Sequence, residues 1–399
     1  MNHTPSRATA LVDWVARITG EPPSLTTASA DASFRRYFRC ACGGTSRIVM
    51  DAPPEHEDNQ RFADIAMRLR GAGLRAPEIL SADFEQGFLL LEDLGDTHFL
   101  AALSATDGQT ADPDALYPLA LSALVRMQTT LMPEDLPDFV GTCFAREFEL
   151  FTDWLLTRWL GIDLSPVQAE LAELSGRLRT GLGEQPAVFV HRDYHSRNLM
   201  LPRDPETDPR PGILDFQDAV KGPLLYDPVS LLRDCYVVWP WPRVEEWLEG
   251  YRVALLAAVQ SEGSDLEPTV PAPASAGLAG AASSDSSEPG RGVAWRAGLA
   301  ANLPRDPAVW QRWFDLTATQ RHLKAAGIFA RLALRDDKPG YLADIPRTLE
   351  YIPQAAARSP DAGLEWLAAF VTETVLPLVL RKLAGNPAPT AAAAPTMAP

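Results

Sequence analysis

Apolar residues at helical spacing open the chain: Leu11, Trp14, Val15 and Ile18 share a face over Thr9–Ile18, and the pair Pro22-Pro23 ends the pattern. Extended segments follow. Ser33–Cys40 is aromatic with alternating polarity and Arg47–Met50 is a short β-branched run, which predicts two antiparallel strands. Over Asn59–Gly71, Phe62, Ile65, Ala66 and Leu69 again share a face, predicting a helix stopped by its glycine. Pro77–Leu80 and Phe88–Leu91 are further strands, divided by turn residues around Asp83 and Gly87. From Asp114 the period becomes helical: Leu116, Leu119, Ala120, Ala123, Leu124 and Met127 fall on one face, and Phe148, Phe151, Leu155 and Trp159 recur at steps of three or four. Within this second region only Ala187–Val190 and Gly212–Leu214 read clearly as strands, and Asp315–Leu334 reads as another amphipathic helix.

Two stretches break the periodicity. Residues 261–293 contain no Phe, Trp or Tyr and are rich in Ala, Ser, Pro, Gly and acidic residues, a composition that predicts a disordered insertion. Residues 384–399, rich in Ala, Pro and Thr, predict a flexible tail. The charge balance, 36 Lys and Arg against 52 Asp and Glu for a net −16, opposes broad binding to nucleic acid or to an anionic membrane surface. Cys40, Cys42, Cys143 and Cys235 are too few and scattered for a disulfide framework, and Cys40-x-Cys42 lacks the second pair a zinc site needs. Asp13 and Arg17 interrupt the only N-terminal apolar run, and nowhere do 18 apolar residues follow one another, so neither a signal peptide nor a membrane span is expected. The expected compartment is the cytoplasm.

The chemistry lies between the two strands of the helical region. Val188–Val190 leads directly into His191-Arg192-Asp193-Tyr194-His195-Ser196-Arg197-Asn198, and Gly212–Leu214 ends at Asp215-Phe216-Gln217-Asp218. Phosphoryl transfer needs one carboxylate to orient the attacking hydroxyl and accept its proton, and oxygen ligands to hold Mg²⁺ against the triphosphate. Asp193 suits the first role; Asn198 and Asp215 suit the second. The step of five from Asp193 to Asn198 matches the H-R-D-x-x-x-x-N catalytic loop, and Asp215-Phe216 stands where kinases carry their metal-binding D-F-G. His195 is placed near the substrate hydroxyl or as a brace of the loop.

The pattern His191, Asp193, His195, Asn198, Leu199 and Asp215, followed by Asp227 in Gly222–Pro228, resembles the aminoglycoside phosphotransferase/choline kinase-like superfamily over roughly Leu25–Tyr251. More closely, Ser29–Arg39, Met50–Pro54, Leu90–Asp96 and Gln320–Lys324 together resemble the bacterial N-acetylmuramate/N-acetylglucosamine anomeric kinases of cell-wall recycling. The resemblance implies an α+β, protein-kinase-like two-lobe fold: an N-terminal nucleotide-binding lobe over residues 1–94, with a small antiparallel sheet, and a helical catalytic and substrate lobe over 95–383. It also implies ATP and Mg²⁺ as cofactors, an amino sugar as substrate, and phosphorylation of that sugar's anomeric hydroxyl. Asp193 would be the base, Asn198 and Asp215 the metal ligands, and His191 and Asp227 braces of the loop. Backbone groups near Glu92 and Leu94 would bind adenine.

One departure stands out. The phosphate-binding lysine of the third strand is missing, with Met50 at its place and Phe62 near that of its helix Glu partner; losing both together avoids a lone buried charge. Arg35 or Arg36 is the candidate replacement, since an Arg fork can hold phosphate oxygens at two points, although both also read as surface arginines. The phosphate loop Ala28–Ser33, with Ser33 a candidate nucleotide contact, lacks the usual glycines. Arg321, His322 and Lys324 are candidate sugar contacts, or simply the polar face of an amphipathic helix. Trp239 and Trp241 would stack on a sugar or pack in the core. The rival readings are a kinase of another small hydroxyl compound, such as choline or an aminoglycoside, and a nucleotide-binding pseudokinase.

Overall fold

The computed structural model describes residues 6–30, 34–42, 44–105, 110–261, 291–359 and 361–385. The chain divides into two compact units. The first takes in the chain up to Thr97 together with Leu199–Gln217; the second is built from His98–Asn198 with residues 218–261 and 292–385.

The first unit begins with α1 (Arg7–Thr19), whose Ser6 side chain caps the helix by accepting the Thr9 N–H. It continues through β1 (Leu25–Ala30), β2 (Arg36–Cys42), β3 (Thr45–Asp51), α2 (Asn59–Gly71), β4 (Ile79–Asp83) and β5 (Phe88–Glu92). The five strands pair antiparallel throughout, in the order β1-β2-β3-β5-β4. Strand alternation puts Cys40, Val49, Phe88 and Leu90 where they bury against Leu11, Trp14 and Val15 of α1. Each such large side chain contributes about 1.5–3 kcal/mol by leaving water. The helix over Asn59–Gly71 forms with the predicted limits, and Asp58 caps it. The strand expected from Ser33 instead starts at Arg36: Phe34 stays 62% exposed, stacked on His56 at 4.2 Å. β1, Leu-Thr-Thr-Ala-Ser-Ala, carries little apolar signal and forms through its ladder with β2. Gly87 (φ 72°) turns β4 into β5 so close to Ala52 that a Cβ would lie 2.0 Å from its carbonyl oxygen.

The chain then runs through α3 (Phe99–Leu103), α4 (Pro113–Thr130), α5 (Phe144–Glu149, flanked by π-helical turns over Phe139–Cys143 and Leu150–Trp159), α6 (Gln168–Gly183) and β6 (Ala187–Val190). The short pair β7 (Leu199–Met200) and β8 (Gly212–Ile213) belongs to the first unit; β9 (Val220–Pro223) lies antiparallel to β6 in the second. After it come α7 (Tyr226–Leu232), α8 (Trp241–Gln260), α9 (Arg291–Asn302), α10 (Pro307–Arg335), α11 (Ile345–Arg358), α12 (Ala362–Phe370) and α13 (Leu376–Gly385). Of the expected insertion 261–293, Ser261 caps α8 and Arg291–Val293 open α9, and the rest lies outside the described residues. Ala384 and Gly385 end α13; the remainder of the expected tail also lies outside them.

The long helix α10 organises the second unit. It starts eight residues before the predicted Asp315, at Pro307 behind the Asp306 cap, because Trp310, Trp313 and Phe314 extend its buried stripe. Its polar residues Asp315, Gln320, His322 and Lys324 are buried too, so α10 is enclosed rather than half-exposed. At Gly327 it touches the backbone of the π-helical stretch, where a Cβ would sit 2.3 Å from the Leu150 carbonyl. Trp239 is 4% exposed and donates to the Tyr117 hydroxyl at 2.7 Å, a core role. Ala362–Gly385, a helix continuous through a π-helical turn, is long and apolar enough to cross a membrane by length and composition; Leu364, Leu367, Val371, Val375 and Val379 bury one of its faces within the protein.

Candidate active site

The loop after β6 is fixed by carboxylates set deep beneath it. Arg192 has φ 79°, a left-handed conformation that a side chain with a Cβ adopts only when its surroundings enforce it. Asp227, fully buried at the start of α7, supplies that enforcement by accepting the N–H groups of His191 at 2.7 Å and Arg192 at 2.9 Å. Burial pushes the Asp227 carboxyl up to about 7, against those two donors. Further along, Asp234 accepts both the N–H (2.9 Å) and the hydroxyl (2.5 Å) of Ser196, and Tyr194 donates to the Ala120 carbonyl at 2.9 Å. The loop closes on itself through His195 N–H to Asp193 O at 3.0 Å and the Asn198 amide to the same oxygen at 3.0 Å.

The Asp193 side chain, 34% exposed, emerges from this frame beside α10, with the Lys324 ammonium 3.6 Å from its Oδ1. Burial alone would raise the acid's pKa, but the charges of Lys324, His195, Arg321 and Arg192 outweigh it and hold Asp193 below the usual carboxylate range. The ammonium is raised in turn, its burial outweighed by Asp193 and Glu147. Glu147 lies 3.5 Å from Lys324 and 2.5 Å from Arg192, and accepts from Gln320 at 2.8 Å and from the Tyr226 hydroxyl at 3.1 Å. Arg321 donates to the Arg192 carbonyl at 2.7 Å and lies over the Tyr226 ring. The structure therefore gathers Asp193, Asn198, Arg321 and Lys324. His322 points elsewhere: its Nε2 meets the Arg233 carbonyl at 2.9 Å, its ring stacks on Tyr351, and burial lowers it to about 3. His195 is lowered by burial as well, and its Nδ1 has no hydrogen-bond partner among the described residues.

In the first unit, Asp215 also has positive φ, 61°, and one of its oxygens accepts from Gln217 at 2.7 Å. Phe216 beside it packs on Phe62 at 4.9 Å, an apolar contact of the residue that stands near the place of the helix glutamate. Arg35 is buried and paired with Glu57 at 2.6 Å; Arg36, its side chain 54% exposed, pairs with the buried Asp51, which also holds Arg7 at 2.7 Å. Glu92 bonds Arg70 and Arg75 through its carboxylate and donates its N–H to the Glu78 carbonyl at 2.8 Å. Leu94 helps to line a cavity of about 420 Å³ with Arg39, Ser46, Asp93, Thr97 and Leu201. Ser33 lies outside the described residues.

The amide oxygen of Asn198 and the carboxylate of Asp215 are hard donors of the kind that suit Mg²⁺, which binds through one or two carboxylates with water and substrate phosphates. Spending Asn198 Nδ2 on the Asp193 carbonyl turns the amide so that its oxygen faces the other way. Glu147 escaped the sequence reading, and Tyr226 and Gln320 stood inside its motifs with no role assigned. Glu147 had a signal: it shares a helical face with Phe144, Phe148 and Phe151, where a carboxylate is out of place unless partnered.

The sequence profile of the APH family, described as a phosphotransferase enzyme family, matches residues 24–266. An N-acetylmuramate/N-acetylglucosamine kinase of Pseudomonas aeruginosa is 39% identical over 343 residues, 85% of this chain and 86% of that protein. A protein of the same description from Neisseria meningitidis is 36% identical over 370 residues, 92% and 95% of the two chains. Among solved structures, a Plasmodium vivax ethanolamine kinase superposes with TM-score 0.57 at 11% identity, covering 88% of this chain and 89% of its own. A choline kinase from Streptococcus pneumoniae superposes with TM-score 0.51 at 11% identity, covering 88% and 100%.

Proposed function

Because this chain belongs to the APH family of phosphotransferase enzymes, we propose that it is an ATP-dependent kinase of N-acetylmuramate and N-acetylglucosamine. The acceptor is the anomeric hydroxyl and the product a sugar 1-phosphate, as needed in peptidoglycan recycling in the cytoplasm. The observation that carries the reading is Asp193: a carboxylate on a rigid loop, kept ionised by Lys324 and Arg321, and still accessible. Asp193 accepts the hydroxyl proton as the sugar oxygen bonds to the γ-phosphorus and the bond to the ADP oxygen breaks. Asn198 and Asp215 would hold Mg²⁺, which would supply charge neutralisation for the phosphoryl group in transfer. Arg36, the more exposed of the two arginines, supplies positive charge in place of the missing lysine. Segment 92–97 takes the adenine; with the Glu92 N–H already given to Glu78, the backbone beyond it provides the hydrogen bonds.

A coupled ADP-release assay with Mg·ATP across both amino sugars, choline and an aminoglycoside, with phosphorus NMR of the product, tests this. A sugar 1-phosphate is expected. Turnover with choline or the aminoglycoside alone would discard the sugar assignment, and ATP binding without turnover on any acceptor would favour a non-catalytic nucleotide-binding role.

A further inference from the structure

We propose that Arg197, seated on Tyr236 and Tyr341, is the subsite for the lactyl carboxylate of N-acetylmuramate and sets the preference between the two sugars; this rests on the function proposed above. Arg197 lies within the catalytic loop, between the base Asp193 and Asn198. Of the cations on and beside that loop, Lys324 is buried between Asp193 and Glu147, while Arg192 and Arg321 are partly buried and bonded to Glu147 and to the loop backbone. Arg197 is the exposed one. Its guanidinium rests over two rings, 4.8 Å from the centroid of Tyr236 and 5.6 Å from that of Tyr341.

Those rings are part of a wall. Tyr341 stacks parallel on Phe329 of α10 at 5.9 Å, Phe329 is 6.4 Å from Tyr236, and the His195 ring meets Tyr236 edge-on at 5.5 Å. Tyr236 itself is fixed by its N–H to Asp234 at 2.8 Å, the carboxylate that also holds Ser196, and by Arg347 bonding its carbonyl at 2.9 Å. Aromatic side chains offer flat apolar surface to the C–H face of a pyranose. A guanidinium offers a fork of donors that matches a carboxylate, and stacking on rings orders it before the ligand arrives. In a chain of net charge −16, an anionic acceptor needs such a local cation. The adjacent carboxylate Asp344 has Arg347 as its own partner at 3.7 Å. N-acetylmuramate carries a lactyl carboxylate and N-acetylglucosamine does not, so Arg197 discriminates between acceptors that share the rest of the wall.

The test measures kcat/KM for both sugars with the full-length enzyme and its Arg197→Met and Arg197→Lys variants. The ratio for N-acetylmuramate over N-acetylglucosamine is expected to fall about 10- to 100-fold in Arg197→Met, the worth of a charge-assisted contact. Arg197→Lys, which keeps charge without the fork, should recover part of that ratio. Equal losses on both sugars, or an unchanged ratio, would overturn the assignment while leaving the kinase reading in place. Wild-type enzyme that turns over neither sugar would remove the sugar assignment itself, and this inference with it.

Discussion

The catalytic loop and the strands around Arg35 and Asp51 handle charge in opposite ways. In the second unit Asp193, Lys324, Glu147 and Arg192 form a closed, largely buried set, joined by Gln320 and Tyr226. In the first, Met50 and Phe62 are buried apolar residues, and the neighbouring arginines form two separate pairs, the buried Arg35 with Glu57 and the more exposed Arg36 with the buried Asp51. A proton must be accepted at one point in space, which fixes both the identity and the supports of the base. Attraction for a polyanionic nucleotide can come from several directions, so its source can move along the sequence.

The largest effect that would sharpen this contrast is on the proposed base. Asp193→Asn is expected to lower kcat about 100- to 10,000-fold in the ADP-release assay. A value within about tenfold of wild type would mean that the closed set of charges serves the fold alone. Next, Lys324→Met leaves Glu147 and Asp193 without their shared cation, and urea unfolding should show a loss of about 3–5 kcal/mol. A loss below about 1 kcal/mol would break the picture of a coupled buried set. On the nucleotide side, Arg36→Ala should raise the KM for ATP about tenfold, and Arg35→Ala less, since Arg35 is already enclosed with Glu57. The reverse ranking would move the phosphate-facing charge to Arg35.

The smallest effect concerns His322, whose pKa falls from 6.5 to about 3 on burial. Between those values the unfolded chain binds one more proton than the folded one, so this residue lowers stability as pH falls, by about 1.4 kcal/mol per pH unit. His322→Gln should lose that slope, and its unfolding midpoints at about pH 6.5 and pH 5 should converge relative to wild type. Parallel curves for the two proteins would show that His322 is not held neutral.

What could be read from the sequence follows the same contrast. The loop was legible because the proposed base and a proposed metal ligand are confined to one short stretch, His191–Asn198, beside a strand. The limits Asn59–Gly71 were legible from the apolar face, although the helix is capped by Ala72 and the left-handed glycine is Gly73 rather than Gly71. β1 was not, because its residues are strand-forming only through their neighbour in the ladder. The structure divides Arg321, His322 and Lys324: the first and last face Asp193 and its loop, and His322 faces Arg233, because a helix enclosed on all sides sends adjacent side chains to different neighbours. The support from Glu147 was hidden by distance, 173 residues before its partner Gln320.

Gly327 bears on all of this from outside the chemistry. The atoms its missing methyl would strike are backbone, the carbonyl of Leu150 and the nitrogen of Phe151, which have no rotamer by which to step aside. Lys324 is three residues earlier, about 4.5 Å along the helix axis. The point of contact is therefore a datum from which the ammonium's reach is measured. Tolerance at Asp193 is set by how tightly two helices can be seated, and an absent side chain, carrying no charge and touching no substrate, holds the gauge.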